Sequence, residues 1–157
     1  MDLQHLSNPL PEWDGRLKKI DKGDEWKWKD ELEIAERLYN QWREVFQLVT
    51  AFAENLPEED ERLSTKNLIY ENAYVVAPKI MSASGDTLYQ IKMENAALIR
   101  FNCRQMWEQI AVAVLSGTAD EEHEIVIEES LNKFKDIFRQ WVATFKVDEY
   151  EDEWGLF

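Results

Sequence analysis

The sequence predicts an all-α protein: a four-helix up-and-down bundle with an irregular N-terminal arm and a short acidic C-terminal tail. Two observations predict it. Apolar residues recur in steps of three and four over four long stretches, and no stretch sustains a two-residue alternation. The 157 residues also hold only five glycines and four prolines, too few for a many-turned β architecture. The expected organisation is an arm over 1–23, a bundle domain over 24–147 and a tail over 148–157.

The arm carries Pro9, Pro11, Gly15 and Gly23, and no apolar period survives there. One helical turn around "GRLKKI" is expected, with Trp13 and Leu17 as anchors against the body. From Asp24 the pattern changes. Ala35, Leu38, Trp42, Val45, Val49, Phe52 and Leu56 form one stripe, widened by Tyr39, Phe46 and Ala53. Asp24 is placed to cap this first helix by accepting from an early backbone N–H. Pro57 stops the helix, because the residue before a proline is pushed out of helical conformation.

The second helix is expected over 64–84, with Ile69, Ala73, Val76, Ile80 and Ala83 in phase. Pro78 lies inside it, removes one backbone hydrogen bond and predicts a kink near Tyr74 or a split into two shorter helices. "SASGD" then supplies a terminal glycine, Gly85, and a new N-cap, Asp86. The third helix, over 87–116, is expected to bury Leu88, Ile91, Leu98, Ile99, Met106, Ile110 and Ala113, and Gly117 ends it. The fourth opens in the acids of "TADEEHE", which favour a helix N-terminus through the macrodipole. Ile127, Leu131, Phe134, Phe138, Trp141 and Phe145 follow in phase.

Glu-Asn-Ala occurs twice, at Glu71-Asn72-Ala73 and Glu94-Asn95-Ala96. On a helix each residue turns the side-chain direction by roughly 100°. That count puts Asn72 and Asn95 on apolar faces, with Asn102 repeating the position, and turns both glutamates outward. A buried amide without a partner costs about 1–3 kcal/mol. If the helices fold back around Gly85, the simplest partner for each amide is the other one, or Tyr39. Such a pair fixes register, as an asparagine at a coiled-coil core position does. The alternative is the polar end of a small-ligand pocket lined by Asn72, Asn95, Asn102 and Tyr39. The stretch "APKIMSASGDTLYQIKMENAALIR", within Tyr70 to Arg104, resembles an uncharacterised bacterial family of small helical proteins. The resemblance implies the helical hairpin and no activity.

The net charge of −14 and pI near 4.5 exclude binding to nucleic-acid phosphates and to anionic membrane surfaces. A basic partner is attracted instead. Cys103 is the only cysteine, the N-terminus lacks the basic start and apolar run of a signal peptide, and "IAVAVL" is the longest apolar run. A cytoplasmic protein is expected.

Most chemistry lacks its residues. Di-iron bundles need Glu-x-x-His on two helices, and zinc needs four ligands. His5 and His123 are the two histidines, and Asp120-x-x-His123 lacks partners. His123 is in phase with Ile127 and is expected to cover the end of the core. Cys103 is expected to pack between Ala96 and Met106 as a small apolar group. No glycine-rich phosphate loop occurs, and the carboxylate pairs Glu58-Glu59 and Glu121-Glu122 diverge around their helices. Neither catalysis, metal nor cofactor is expected.

Seven tryptophans are generous for this length. Trp42, Trp107 and Trp141 suit helix faces, whereas Trp13, Trp26, Trp28 and Trp154 lie in the arm, the first turn of helix one and the tail. Trp26 and Trp28 diverge, so one needs cover from the arm, the tail or another chain. These features point to a non-enzymatic interaction protein that self-associates, with a dimer favoured. Its candidate contact residues are Trp26, Trp28, Trp154 and Phe157. Beside it stand a small-ligand-binding bundle and an acidic inhibitor or immunity-type protein covering a basic partner.

Overall fold

The computed structural model describes residues 8–15, 20–58 and 64–156. Expectations for His5, Leu17, Glu59 and Phe157, and for most of the "GRLKKI" turn, lie outside the described residues. Four helices follow in order: α1 (Glu25–Glu54), α2 (Thr65–Gly85), α3 (Tyr89–Leu115) and α4 (Glu121–Ala143). Neighbours run antiparallel and α4 returns against α1, which is an up-and-down bundle. The start of α1, the end of α2, the start of α3 and the end of α4 share one end, here the near end. Among the described residues there is no strand.

The stripes of α1 and α4 bury as their spacing predicts, except that Phe138 of α4 is only partly buried. Ala35, Leu38, Tyr39, Trp42, Val45, Phe46 and Val49 are fully enclosed, and Phe134 meets Trp42 edge-on with ring centroids 5.2 Å apart. Each large apolar side chain so enclosed stabilises the fold by about 1.5–3 kcal/mol. Phe145, past the end of α4, closes the near end against Trp141 at 4.8 Å.

Two helix starts differ from expectation. The Asp24 side chain makes no cap; its carboxylate pairs with Lys27 Nζ at 3.0 Å, and its carbonyl accepts from Lys27 N. The opposite charge one turn along draws the carboxylate away from the backbone N–H groups. Asp86 takes up Thr87 N at 2.7 Å and Leu88 N at 2.8 Å, an Asx turn between helices, while the cap position itself is Leu88. Ser64 does cap α2, accepting from Asn67 N.

Pro78 does not split α2, which runs unbroken from Thr65 to Gly85. The proline is exposed, and the carbonyl it leaves without a donor belongs to Tyr74, itself half exposed. Buried Val76, Ala77 and Ile80 hold the turn on either side.

The phase of α3 is also corrected. Leu98 is exposed, and Leu88 and Ile91 are only partly buried. The buried stripe is Lys92, Ala96, Ile99, Cys103, Met106, Ile110 and Ala113, stepping four and three without a break. Its small members, with Ala73, Ala77 and Ala83 on α2, allow the most extensive helix pairing among the described residues. Beyond Leu115, Gly117 at φ +77° lets Thr118 N reach Ala113 O at 3.0 Å, a Schellman ending.

Candidate functional site

The first turns of α1 bring Trp26 and Trp28 to the near end. Trp26 is exposed, with Lys27 Nζ 5.8 Å from its ring centroid. Trp28 packs over Lys92 of α3, whose Nζ lies 4.9 Å from the indole centroid and 5.6 Å from that of Phe145. Among the described residues, cover for Trp28 thus includes a lysine of the same chain. Lys92 is only 2% exposed, and its charge is met by Glu31, 6% exposed, whose Oε1 lies 2.7 Å from Nζ. The contact is a close ion pair rather than a well-directed hydrogen bond. A buried ammonium faced by two rings and a carboxylate ties α1, α3 and the segment after α4 together.

The tail leaves from the same end. Asp148 Oδ2 accepts from Tyr89 N at 2.9 Å, supplying the first turn of α3 with an acceptor that Leu88 cannot offer. Gly155 N then bonds Asp152 O, and Tyr150, Trp154 and Leu156 stand exposed.

The asparagines do something other than expected. Asn72, Asn95 and Asn102 each donate Nδ2 to the carbonyl four residues earlier in their own helix, Leu68, Ile91 and Leu98, at 2.7–2.8 Å. The expected cross-helix pair is therefore corrected. A carbonyl one turn back is within reach of any helical asparagine and requires no second helix. Tyr39 is also occupied elsewhere: its hydroxyl donates to Pro11 O at 2.8 Å and Trp13 lies 5.5 Å from its ring. Burial pushes the Tyr39 pKa up, partly opposed by Arg43. Tyr39 thus holds the arm, and each asparagine bonds within its own helix.

Sequence reading missed a groove. The α3–α4 interface is the slightest of the four in the bundle. Between these helices lies an opening of about 480 Å³, floored by Ile99, Cys103, Trp107, Leu131, Phe134 and Phe138. Its rim carries Arg100, Arg104, Lys135 and Arg139, with Glu108 as the one acid of the lining. Arg139 pairs with Asp136 and Lys135 donates to Asn132, while Arg100 and Arg104 have no ion-pair partner among the described residues. Two cation pairs at i, i+4 spacing are unfavourable on an isolated helix. In so acidic a chain they were the available signal. Burial pushes the Cys103 thiol up to about 12, against a smaller lowering by Lys135, so the groove floor holds no thiolate at neutral pH.

Missed too was a second stripe of α3. Leu98, Phe101, Val112 and Leu115 are exposed on one side, interrupted by the hydrogen-bonded pair Gln105–Glu108. His123 is half buried in a shallow groove with Leu48, Phe52 and Ile127. Among the described residues no three side chains are grouped to hold a metal ion, and no helix is long and apolar enough to cross a membrane. Comparison with family models, with curated proteins and with solved structures gives no match to this chain.

Proposed function

We propose that this chain is a non-enzymatic helical interaction module that works in the cytoplasm and associates with itself, most simply as a dimer. The carrying observation is the pair Trp26 and Trp154, 74% and 81% exposed, both borne on segments of the near end. Enclosing an exposed side chain of this size is worth about 1.5–3 kcal/mol, and tryptophan is the residue most enriched among interface hot spots. Trp28 supports the same face from beneath, fixed over Lys92. Acids flank both indoles: Glu25 beside Trp26, and Asp152 and Glu153 before Trp154. Such a rim steers the approach of cationic surface and repels a wrongly placed acidic one.

Native mass spectrometry of the full chain at micromolar concentration tests the reading. The expected result is a dimer, with Trp26→Ala or Trp154→Ala shifting mass toward monomer while far-ultraviolet circular dichroism stays unchanged. A wild-type chain that is monomeric up to about 100 μM, a concentration corresponding to roughly 5.5 kcal/mol of association free energy, refutes it.

A further inference from the structure

The molecule carries 32 acids against 18 lysines and arginines, yet four of its cations border one apolar groove. The same molecule exposes a segment with the opposite character. "DEYEDEWGL" sets Tyr150, Trp154 and Leu156 among Asp148, Glu149, Glu151, Asp152 and Glu153. Its apolar side chains are exposed in the single chain, and none of its residues lines the groove.

We infer that the α3–α4 groove is the docking site for the acidic aromatic tail of a second copy, the two tails being exchanged reciprocally. The inference rests on the self-association reading above and assigns it a contact. Complementarity is of two kinds. Ile99, Trp107, Leu131, Phe134 and Phe138 present an apolar floor of the size that encloses small-molecule-sized groups, suited to the Trp154 indole with Leu156 beside it. Arg100 and Arg104 on one wall, and Lys135 and Arg139 on the other, meet the carboxylates that flank that indole. Asp148 remains bonded to Tyr89, so the exchanged part begins at the residues after it. Exchange of one segment for its equivalent closes a two-fold dimer, because each copy offers one tail and one groove.

Full-length variants test this by complementation. A tail-defective chain carries Trp154→Ala with Leu156→Ala; a groove-defective chain carries Arg100→Glu with Arg104→Glu. Circular dichroism and urea midpoints check that both fold. Each alone is expected to dimerise at least about tenfold more weakly than wild type by native mass spectrometry and sedimentation velocity. Mixed together they are expected to form a heterodimer, since one intact tail meets one intact groove, and homodimers of neither. A second arm uses a fluorescent peptide of residues 148–157. It is expected to bind the tail-defective chain, to be released by raised salt, and to bind the groove-defective chain at least about tenfold more weakly.

The outcomes separate the two readings. A monomeric wild type sinks self-association and this inference with it. A dimeric wild type whose two double variants also remain dimeric leaves self-association standing and overturns the tail–groove contact, pointing to Trp26 or the outer α3 stripe. Peptide binding without heterodimer formation shows the tail folding onto its own groove and overturns the second copy as occupant. Preference of the groove for an unrelated anionic amphiphile, with no peptide bound, overturns it as well.

Discussion

Removing the partners of the buried ion pair one at a time gives a graded result that the structure orders in advance. At 2.7 Å the Coulomb attraction between Lys92 and Glu31 is about 6 kcal/mol at an effective dielectric of 20. The desolvation of two nearly enclosed ions offsets most of it. The loss of one partner is then dominated by the charge left behind, about 3–5 kcal/mol. Lys92→Met strands the Glu31 carboxylate, itself only 6% exposed, without its cation, so the full cost is expected. Glu31→Gln leaves the ammonium over Trp28 and Phe145 at 4.9 and 5.6 Å. Those rings retain up to about 2 kcal/mol of stabilisation, so this variant is expected to lose about 1–2 kcal/mol less. Glu31→Leu with Lys92→Met removes both charges and is expected to be neutral or stabilising by up to about 4 kcal/mol. Urea unfolding followed at 222 nm measures all three, with midpoints shifting at constant slope. A 3 kcal/mol loss lowers Tm by roughly 6–12 °C in a chain of this size. Single variants that each cost below about 1 kcal/mol would behave as a surface pair does, and the argument from burial would be refuted. A Glu31→Gln variant less stable than Lys92→Met would refute the role given to the rings.

Three further outcomes are expected. The Cys103 pKa is raised from 9.0 to about 12 in the fold, so the folded state holds its proton where the unfolded chain loses it. Stability from this thiol is intact below pH 9 and declines by about 1.4 kcal/mol per pH unit up to about 12, where it levels off. The difference between wild type and Cys103→Ala in urea midpoints across that window isolates it from the tyrosines; a constant difference refutes it. Gly117→Ala is expected to cost about 1–2 kcal/mol through its φ of +77° alone, since nothing lies within 4 Å of the added methyl. An unchanged midpoint would show that the Schellman ending relaxes freely. Asn72→Leu and Asn95→Leu share no hydrogen bond, so their double variant is expected to be additive within about 0.5 kcal/mol. Coupling beyond 1 kcal/mol would restore the register pair.

Helix α1 was readable residue by residue and α4 at all but Phe138, because each sets its main apolar stripe against a largely charged remainder. Every stripe residue named for α1 is buried. In α3 the same method slipped. Large apolar residues lie on two sides of that helix, Leu98 and Phe101 outward and Ile99 and Met106 inward, while the inner stripe begins with Lys92. Counting apolar residues weights Leu98 and discards Lys92, the reverse of where they sit. The asparagines were placed near the right faces but given the wrong partners, since periodicity reports direction and cannot see a carbonyl one turn behind. At the near end, Trp26 and Trp28 were singled out by divergence alone, and the sequence held no sign that Lys92 lies under one of them. The groove was illegible for a different reason. It exists because α3 and α4 stand apart, and interhelical spacing has no signature within either helix.

The bond from Tyr89 to Asp148 spans 59 positions, so its two partners are synthesised far apart in time. When α3 emerges during synthesis, Leu88 offers its first turn no side-chain acceptor, and the free N–H groups at that end favour fraying. The carboxylate that holds the turn is made only after the whole of α4. Segment docking after α4 also brings Phe145 over Lys92, so two fastenings of the near end arrive together. The far end, by contrast, has its caps built in sequence, Ser64 for α2 and Gly117 behind α3. The near end of the bundle is therefore fastened by the residues made last, Asp148 and Phe145, and the far end by caps local in sequence.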